Sequence, residues 1–299
     1  MIGIVAHDAG GAEIISSYVK ANNLKCKYTL DGPAKYVFER KIGAINNSPL
    51  EELISECNSI ICGTSLISKL EWTAIKLAKK ANKKSVAVID HWVNYRERFI
   101  REGLYHFPDE VWLGDQEAVK LANSTLQEPN KKFVPNAYFE DLKQQLKTLQ
   151  ENKDKKNAGT KLLYACEPLR EPGIEIFNNP LHWGYTEEDA VKYFLENVSL
   201  LSSNIEQIEL RPHPKEEHNK YQWAVDEYKL PIITQKNESL FERIVEADII
   251  AGCATMALYV GLLANKRVIS CIPPGAKTIP LPHQEIEKLE EIIEKKLSE

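Results

Sequence analysis

Short apolar runs recur along the chain, and most of them stop at a glycine or a polar loop before an amphipathic helical pattern begins. That alternation is the pattern of a parallel α/β sheet, because a parallel pair of strands needs a crossover and the crossover is usually a helix. IGIVAH reads as a first strand, and DAGGAEIISSYVKAN follows as a glycine turn leading into a helix. Residues 57–62 read as a second strand with a helix over 66–81, and residues 85–89 as a third that ends at Asp90-His91-Trp92. A strand over 110–113 precedes a helix that starts near Asp115 and runs through Leu121. Beyond a polar stretch over 142–161 the same order resumes. Strands are expected at 161–166, 207–210, 230–234, 248–252 and 267–271, with helices at 186–197, 239–247 and 255–264.

The expected fold class is therefore α/β, with two Rossmann-like domains facing across a cleft, residues 1–150 and 158–299. A flexible Asn157-Ala158-Gly159 segment marks the join. Residues 283–299 carry isoleucine and leucine spaced by charges, a closing amphipathic helix that packs internally or across a homo-oligomer. A chain of 299 residues has enough material for two such cores.

Composition narrows the function classes. Against 38 lysines and arginines stand 43 aspartates and glutamates, a net charge of -5, so no broad nucleic-acid surface is implied. The opening residues lack the basic leader and long apolar segment of a secretory signal, and no run reaches the ~18 apolar residues of a membrane span. A cytoplasmic protein is expected. The six cysteines form neither a CxxC pair nor a disulfide framework, and no zinc signature or other metal triad is present. Cys253 alone draws attention, because it lies in a candidate ligand loop.

Four strand-end loops can carry chemistry. In His7-Asp8-Ala9-Gly10-Gly11 the glycines Gly10 and Gly11 allow close backbone approach, and Asp8 either accepts a proton from a sugar hydroxyl or caps the following helix. It is not a full GxGxxG fingerprint, so a dehydrogenase is disfavoured. In the segment Asp90 to Phe99, Trp92 or Tyr95 can stack on a sugar face and Arg96 or Arg98 can pair with an anion, with Asp90 or His91 orienting the acceptor. The alternative is a satisfied polar network joining loops, with Arg96 and Arg98 on the solvated face of a helix. Arg211-Pro212-His213-Pro214-Lys215 holds a histidine between two prolines and flanks it with cations, which suits a phosphate. Gly252-Cys253-Ala254-Thr255 opens a helix whose first amides, with the Thr255 hydroxyl, can cradle phosphate; the bland use of Thr255 is as an N-cap.

These motifs resemble the glycosyltransferase B-type architecture, and within it the bacterial sialyltransferase-like enzymes that use CMP-activated nonulosonic acids. LLYACEP over 162–168, continuing Leu169-Arg170-Glu171, is similar to the strand and loop that open the family's donor domain. Arg211-Pro212-His213-Pro214 holds the His-Pro element, which implies that His213 contacts donor phosphate, and Gly252 to Thr255 looks like the family's phosphate loop. The resemblance covers much of residues 160–272. It implies a metal-independent, inverting transfer from a CMP-linked donor to a glycan or related hydroxyl acceptor, with no other cofactor. The family's acidic-acidic-Gly element has no copy here beyond the fragment Leu30-Asp31-Gly32. Asp8 is the favoured base and Asp90 the second, with His213 on the phosphate side. A sugar-nucleotide epimerase or hydrolase, or a nonenzymatic carbohydrate-binding protein, are the competing readings.

Overall fold

A computed structural model describes residues 1–151, 159–235 and 238–298. The chain divides into two compact units, Met1–Asp141 and Leu142–Glu299. Most of the segment expected to be flexible, Asn157 and Ala158, lies outside the described residues.

In the first unit β1 (Ile2–Ala6), β2 (Cys26–Leu30), β3 (Ser59–Cys62) and β4 (Lys84–Ile89) are followed by a small hairpin, β5 (Ile100–Arg101) and β6 (Leu104–Tyr105). Strands β7 (Glu110–Leu113) and β8 (Asn130–Phe133) complete it. The main sheet has six parallel strands in the order β2-β1-β3-β4-β7-β8. Its helices are α1 (Ala9–Ala21), α2 (Pro33–Ile42), α3 (Leu50–Glu56), α4 (Leu70–Lys80) and α5 (Gln116–Thr125), with α6 (Ala137–Glu151) leading onward. Ile4, Ala6, Ile15, Leu30, Phe38 and Val88 form one continuous core.

The second unit holds β9 (Thr160–Ala165), α7 (Arg170–Phe177), α8 (Glu187–Asn197), β10 (Ile205–Arg211), α9 (Gln222–Glu227), β11 (Ile232–Thr234) and α10 (Leu240–Glu246). It continues through β12 (Ile249–Gly252), α11 (Met256–Leu263), β13 (Arg267–Ser270), β14 (Glu287–Lys288) and α12 (Leu289–Leu297). The strand order is β11-β10-β9-β12-β13-β14, again all parallel. Leu162, Tyr164, Phe194, Ile208 and Leu210 lie at the centre of its core.

The α/β class with two Rossmann-like units therefore holds, and both sheets have a strand-order reversal where ligands bind in open α/β folds. In the first it lies beside β1 and β3, in the second beside β9 and β12. Local chemistry shifted several expected boundaries. The helix expected from residue 66 starts at Leu70, because the Ser65 hydroxyl accepts the Ile67 and Ser68 N–H groups and the Ser68 hydroxyl accepts that of Leu70. The closing helix expected from residue 283 starts at Leu289. Glu287 and Lys288 instead pair with Ile269 and Ser270 as an edge strand, and Arg267 grips Glu287. Strands β2 and β8 escape the sequence reading; β8 is the polar edge run NKKF, without a buried face to mark it. No described helix is long and apolar enough to cross a membrane.

Candidate functional site

In the first unit the end of β1 delivers His7 and Asp8 beside the strand-order reversal. Asp8 occupies the N-cap position of α1 with extended backbone, yet its side chain makes no cap hydrogen bond. Its Oδ1 lies 2.6 Å from His7 Nδ1 instead. The carboxylate is thus held by an imidazole rather than consumed by the helix start. The His7 N–H donates to Glu71 Oε1 at 2.8 Å, and the His7 carbonyl accepts the Ala34 N–H at 2.9 Å. Neighbouring backbones close tightly around this pair. A Cβ on Gly32, whose φ is +50°, would stand 2.7 Å from His7 Nε2, and one on Gly11 would stand 3.2 Å from the Gly63 Cα.

Asp90 comes to the same place from the end of β4. A Cβ on Gly10 would sit 2.0 Å from Asp90 Oδ2, so the first turn of α1 accommodates that carboxylate only because residue 10 is glycine. Asp8, Gly10, Gly11 and Asp90 are therefore brought together. Asp90 Oδ1 accepts a hydrogen bond from Arg98 at 2.7 Å, and the same guanidinium nitrogen donates to the Thr64 carbonyl and hydroxyl at 3.0 and 2.9 Å. Arg98 is 7% exposed and its Nε reaches the Val93 carbonyl, so it belongs to an internal polar network and not to the solvated helix face expected as the alternative, because its guanidinium is needed to satisfy Asp90 and Thr64.

The aromatic residues expected to face a sugar do not. Trp92 and Tyr95 are buried; Trp92 donates its indole N–H to Asp115 at 2.9 Å and stacks near Phe139. Burial of aromatic area outweighed exposure for ligand stacking. Arg96 is exposed and lies over the Tyr105 ring. Burial also presses the His91 imidazole toward its neutral form, the Asp90 charge opposing and Arg98 assisting.

Glu71 is the residue that sequence reading missed here. It is 2% exposed, and its Oε2 has no hydrogen-bond partner among the described residues. Burial pushes its carboxyl up to about 7, with the His7 N–H pulling the other way. A single glutamate in the first turn of an amphipathic helix carries no sequence signal for this.

In the second unit β10 alternates Ile208 and Leu210 into the core with Glu209 and Arg211 on the opposite face. Arg211 donates to the Glu238 carbonyl and lies near Glu209, which is itself paired with Arg243 at 2.6 Å. Its cation is engaged on the α10 side. His213 follows, with its Nδ1 accepting the Lys215 N–H at 3.2 Å, and the Lys215 side chain is exposed. Glu216 accepts the His213 N–H, and Lys220 pairs with both Glu216 and Glu187.

At the end of β12, Gly252 fits because a Cβ there would stand 3.0 Å from the Ala165 carbonyl oxygen. Thr255 takes the N-cap use, its hydroxyl accepting the Ala257 N–H at 3.2 Å. The amides expected to cradle phosphate already have an acceptor. Glu167 Oε2, from the loop after β9, accepts the N–H groups of Cys253 and Ala254 at 3.1 and 2.8 Å. Burial pushes the Glu167 carboxyl up to about 7, opposed by the amides of residues 253–255. Cys253 is buried, and burial pushes its thiol up to about 12, away from the reactive thiolate. Among the described residues no group of three His, Cys, Asp or Glu side chains is arranged to hold a metal ion.

No family model matches the chain, and no curated protein matches it. Solved structures share its fold. A UDP-GlcNAc 2-epimerase from Methanocaldococcus jannaschii aligns over 90% of this chain and 83% of its own, at 11% identity and a TM-score of 0.58. A Listeria monocytogenes protein assigned as a UDP-N-acetylglucosamine 2-epimerase aligns over 99% and 87%, at 11% identity and a TM-score of 0.59. The E. coli heptosyltransferase WaaC covers 100% and 99% at 12% identity, with a TM-score of 0.48. The first two, at TM-scores above 0.5, share this chain's fold, a GT-B-like pair of parallel α/β units, and at such low identity the likeness carries fold and not chemistry.

Proposed function

We propose that the protein transfers a glycosyl group from a nucleotide-activated sugar to a hydroxyl acceptor with inversion. The observation that carries this reading is the His7–Asp8 pair, 2.6 Å apart at the end of β1, which offers an acid–base couple beside the strand-order reversal. Asp8 takes the acceptor hydroxyl proton as the oxygen bonds to the anomeric carbon. The bond from that carbon to the phosphate oxygen breaks, and its electron pair leaves with the nucleotide. Asp8 is preferred to Asp90 because its side chain is the more exposed of the two, 37% against 19%, and the Asp90 carboxylate is paired with the buried Arg98 guanidinium. His213 and Lys215 serve the departing phosphate, a role that needs hydrogen-bond donors and positive charge and does not itself require a metal. For the same phosphate to use the amides of residues 253–255, Glu167 must yield them. A CMP-linked nonulosonic acid is the donor class that the motif resemblance favours.

A second reading has its own support, since two matching structures with TM-scores above 0.5 carry the name of an epimerase. Incubation with a panel of CMP-, UDP-, GDP- and ADP-sugars, with and without acceptors, followed by mass analysis of the acceptor and 1H NMR of the donor sugar, separates the two. Transfer releases free nucleotide and a heavier acceptor, whereas epimerisation changes the donor at constant mass. Absence of binding and turnover across the panel would sink both readings, and reaction only with non-CMP donors would sink the CMP assignment alone.

A further inference from the structure

The turn from His213 to Glu216 is tied more closely than chain reversal demands. The Glu216 N–H donates to the His213 carbonyl at 2.8 Å, and the Glu216 carboxylate reaches back to accept the His213 N–H at 2.7 Å. One residue thereby satisfies both main-chain polar groups of the histidine, while Pro212 and Pro214 restrict the chain on either side. Glu216 is anchored in turn. It is 6% exposed, its Oε1 accepts the Tyr221 hydroxyl at 2.8 Å, and Lys220 Nζ lies 2.9 Å away. Lys220 also pairs with Glu187, whose other oxygen accepts the Arg170 N–H at 3.0 Å. The turn is thus linked to the start of α7 through buried and half-buried charge.

The same turn selects the form of the imidazole. The Lys215 main-chain N–H points at His213 Nδ1, 3.2 Å away. An amide nitrogen can only donate, so Nδ1 must carry a lone pair and the ring proton must sit on Nε2. His213 is then a neutral ring that can donate only from Nε2.

We infer that Glu216 is a positioning residue that sets His213 as a neutral Nε2–H hydrogen-bond donor to an oxygen of the nucleotide phosphate. The inference rests on the proposed phosphate role of His213 and assigns the protonation state in which it acts. Glu216 touches no reacting atom; it acts by fixing the backbone from which the ring projects and the amide that fills Nδ1.

The test uses the full chain labelled with 15N-histidine, with His213→Ala identifying the resonances by their loss. Long-range 1H–15N correlation is expected to show His213 Nδ1 unprotonated and Nε2 protonated in the wild type. In Glu216→Ala the two nitrogens should move toward a tautomer average, and CMP and inorganic pyrophosphate should each bind about tenfold more weakly, the scale of one lost hydrogen bond. Glu216→Gln keeps one acceptor and the same shape, so it carries the test if the alanine variant does not fold; its signature should lie between the two. A protonated Nδ1 in the wild type, or wild-type tautomer and CMP affinity in both variants, overturns the inference. If the wild-type tautomer is as expected but His213→Ala binds CMP and pyrophosphate normally, the phosphate role fails while the positioning by Glu216 stands.

Discussion

Glu167 Oε2 accepts the Ala254 N–H at 2.8 Å, which places a carboxylate from the end of β9 on the turn that opens α11. It occupies the amide donors of that turn, and it does so at an energetic cost. Burial pushes both Glu167 and Glu71 from 4.5 up to about 7. The folded state therefore holds these protons more tightly than the unfolded chain does. Each group contributes stability that is fully present below about pH 4.5 and lost as pH rises through about 7, at most about 3 kcal/mol apiece. Thermal unfolding from pH 5 to 8 should show Tm falling for these groups, with a shallower fall in Glu167→Gln and Glu71→Gln. Curves parallel to wild type would show that neither carboxyl titrates in this range.

The His7–Asp8 pair predicts a rate effect without a fold effect. Asp8→Asn keeps the side chain's shape and removes the proposed base, so kcat should drop by about 10²–10⁴ while Tm stays near wild type. Single-turnover measurement with a reactive donor checks it. Unchanged kcat would move the base to another residue, Asp90 first.

Gly10 and Asp90 should be energetically coupled. A methyl at residue 10 meets Asp90 Oδ2 at 2.0 Å, so Gly10→Ala should cost about 1–3 kcal/mol through forced displacement. Against an Asp90→Ala background the same change should cost much less, because the obstacle is gone. Urea unfolding of the four proteins gives the coupling, and additive costs would mean that the two side chains do not meet.

Lys220 balances Glu187 and Glu216, two carboxylates that are 2% and 6% exposed. Burial opposes its charge, but the carboxylates outweigh burial and hold the ammonium above its ordinary range. Lys220→Met should destabilise the fold by about 3–5 kcal/mol by leaving buried charge unpaired, and Lys220→Arg should recover most of that. Denaturant midpoints report both; a methionine variant as stable as wild type would mean that solvent reaches the pair.

The motif loops were legible because strand-end placement is a local property. IGIVA, SVAVI and DIIAG announce strands by their apolar runs, and the loops that follow them carry Asp8, Asp90 and Thr255. What Asp90 does there was not legible. Its partner Arg98 lies only eight residues on, yet sequence allowed that arginine to be a ligand-binding cation or a residue on the solvated face of a helix, and it folds as neither, being 7% exposed. Trp92 and Tyr95 read as sugar platforms and fold as core, since an aromatic ring suits either setting.

The sequence by itself determined the alternation of strand and helix, the α/β class and the positions of the strand-end loops, because periodicity is decided among residues a few places apart. Tertiary structure alone decided which carboxylates matter beneath those loops. Glu71 finds the His7 amide across 64 residues, and Glu167 finds the Cys253 amide across 86. Such pairings depend on which strands become neighbours in the sheet, and the burial that shifts these groups arises only when the sheet is covered.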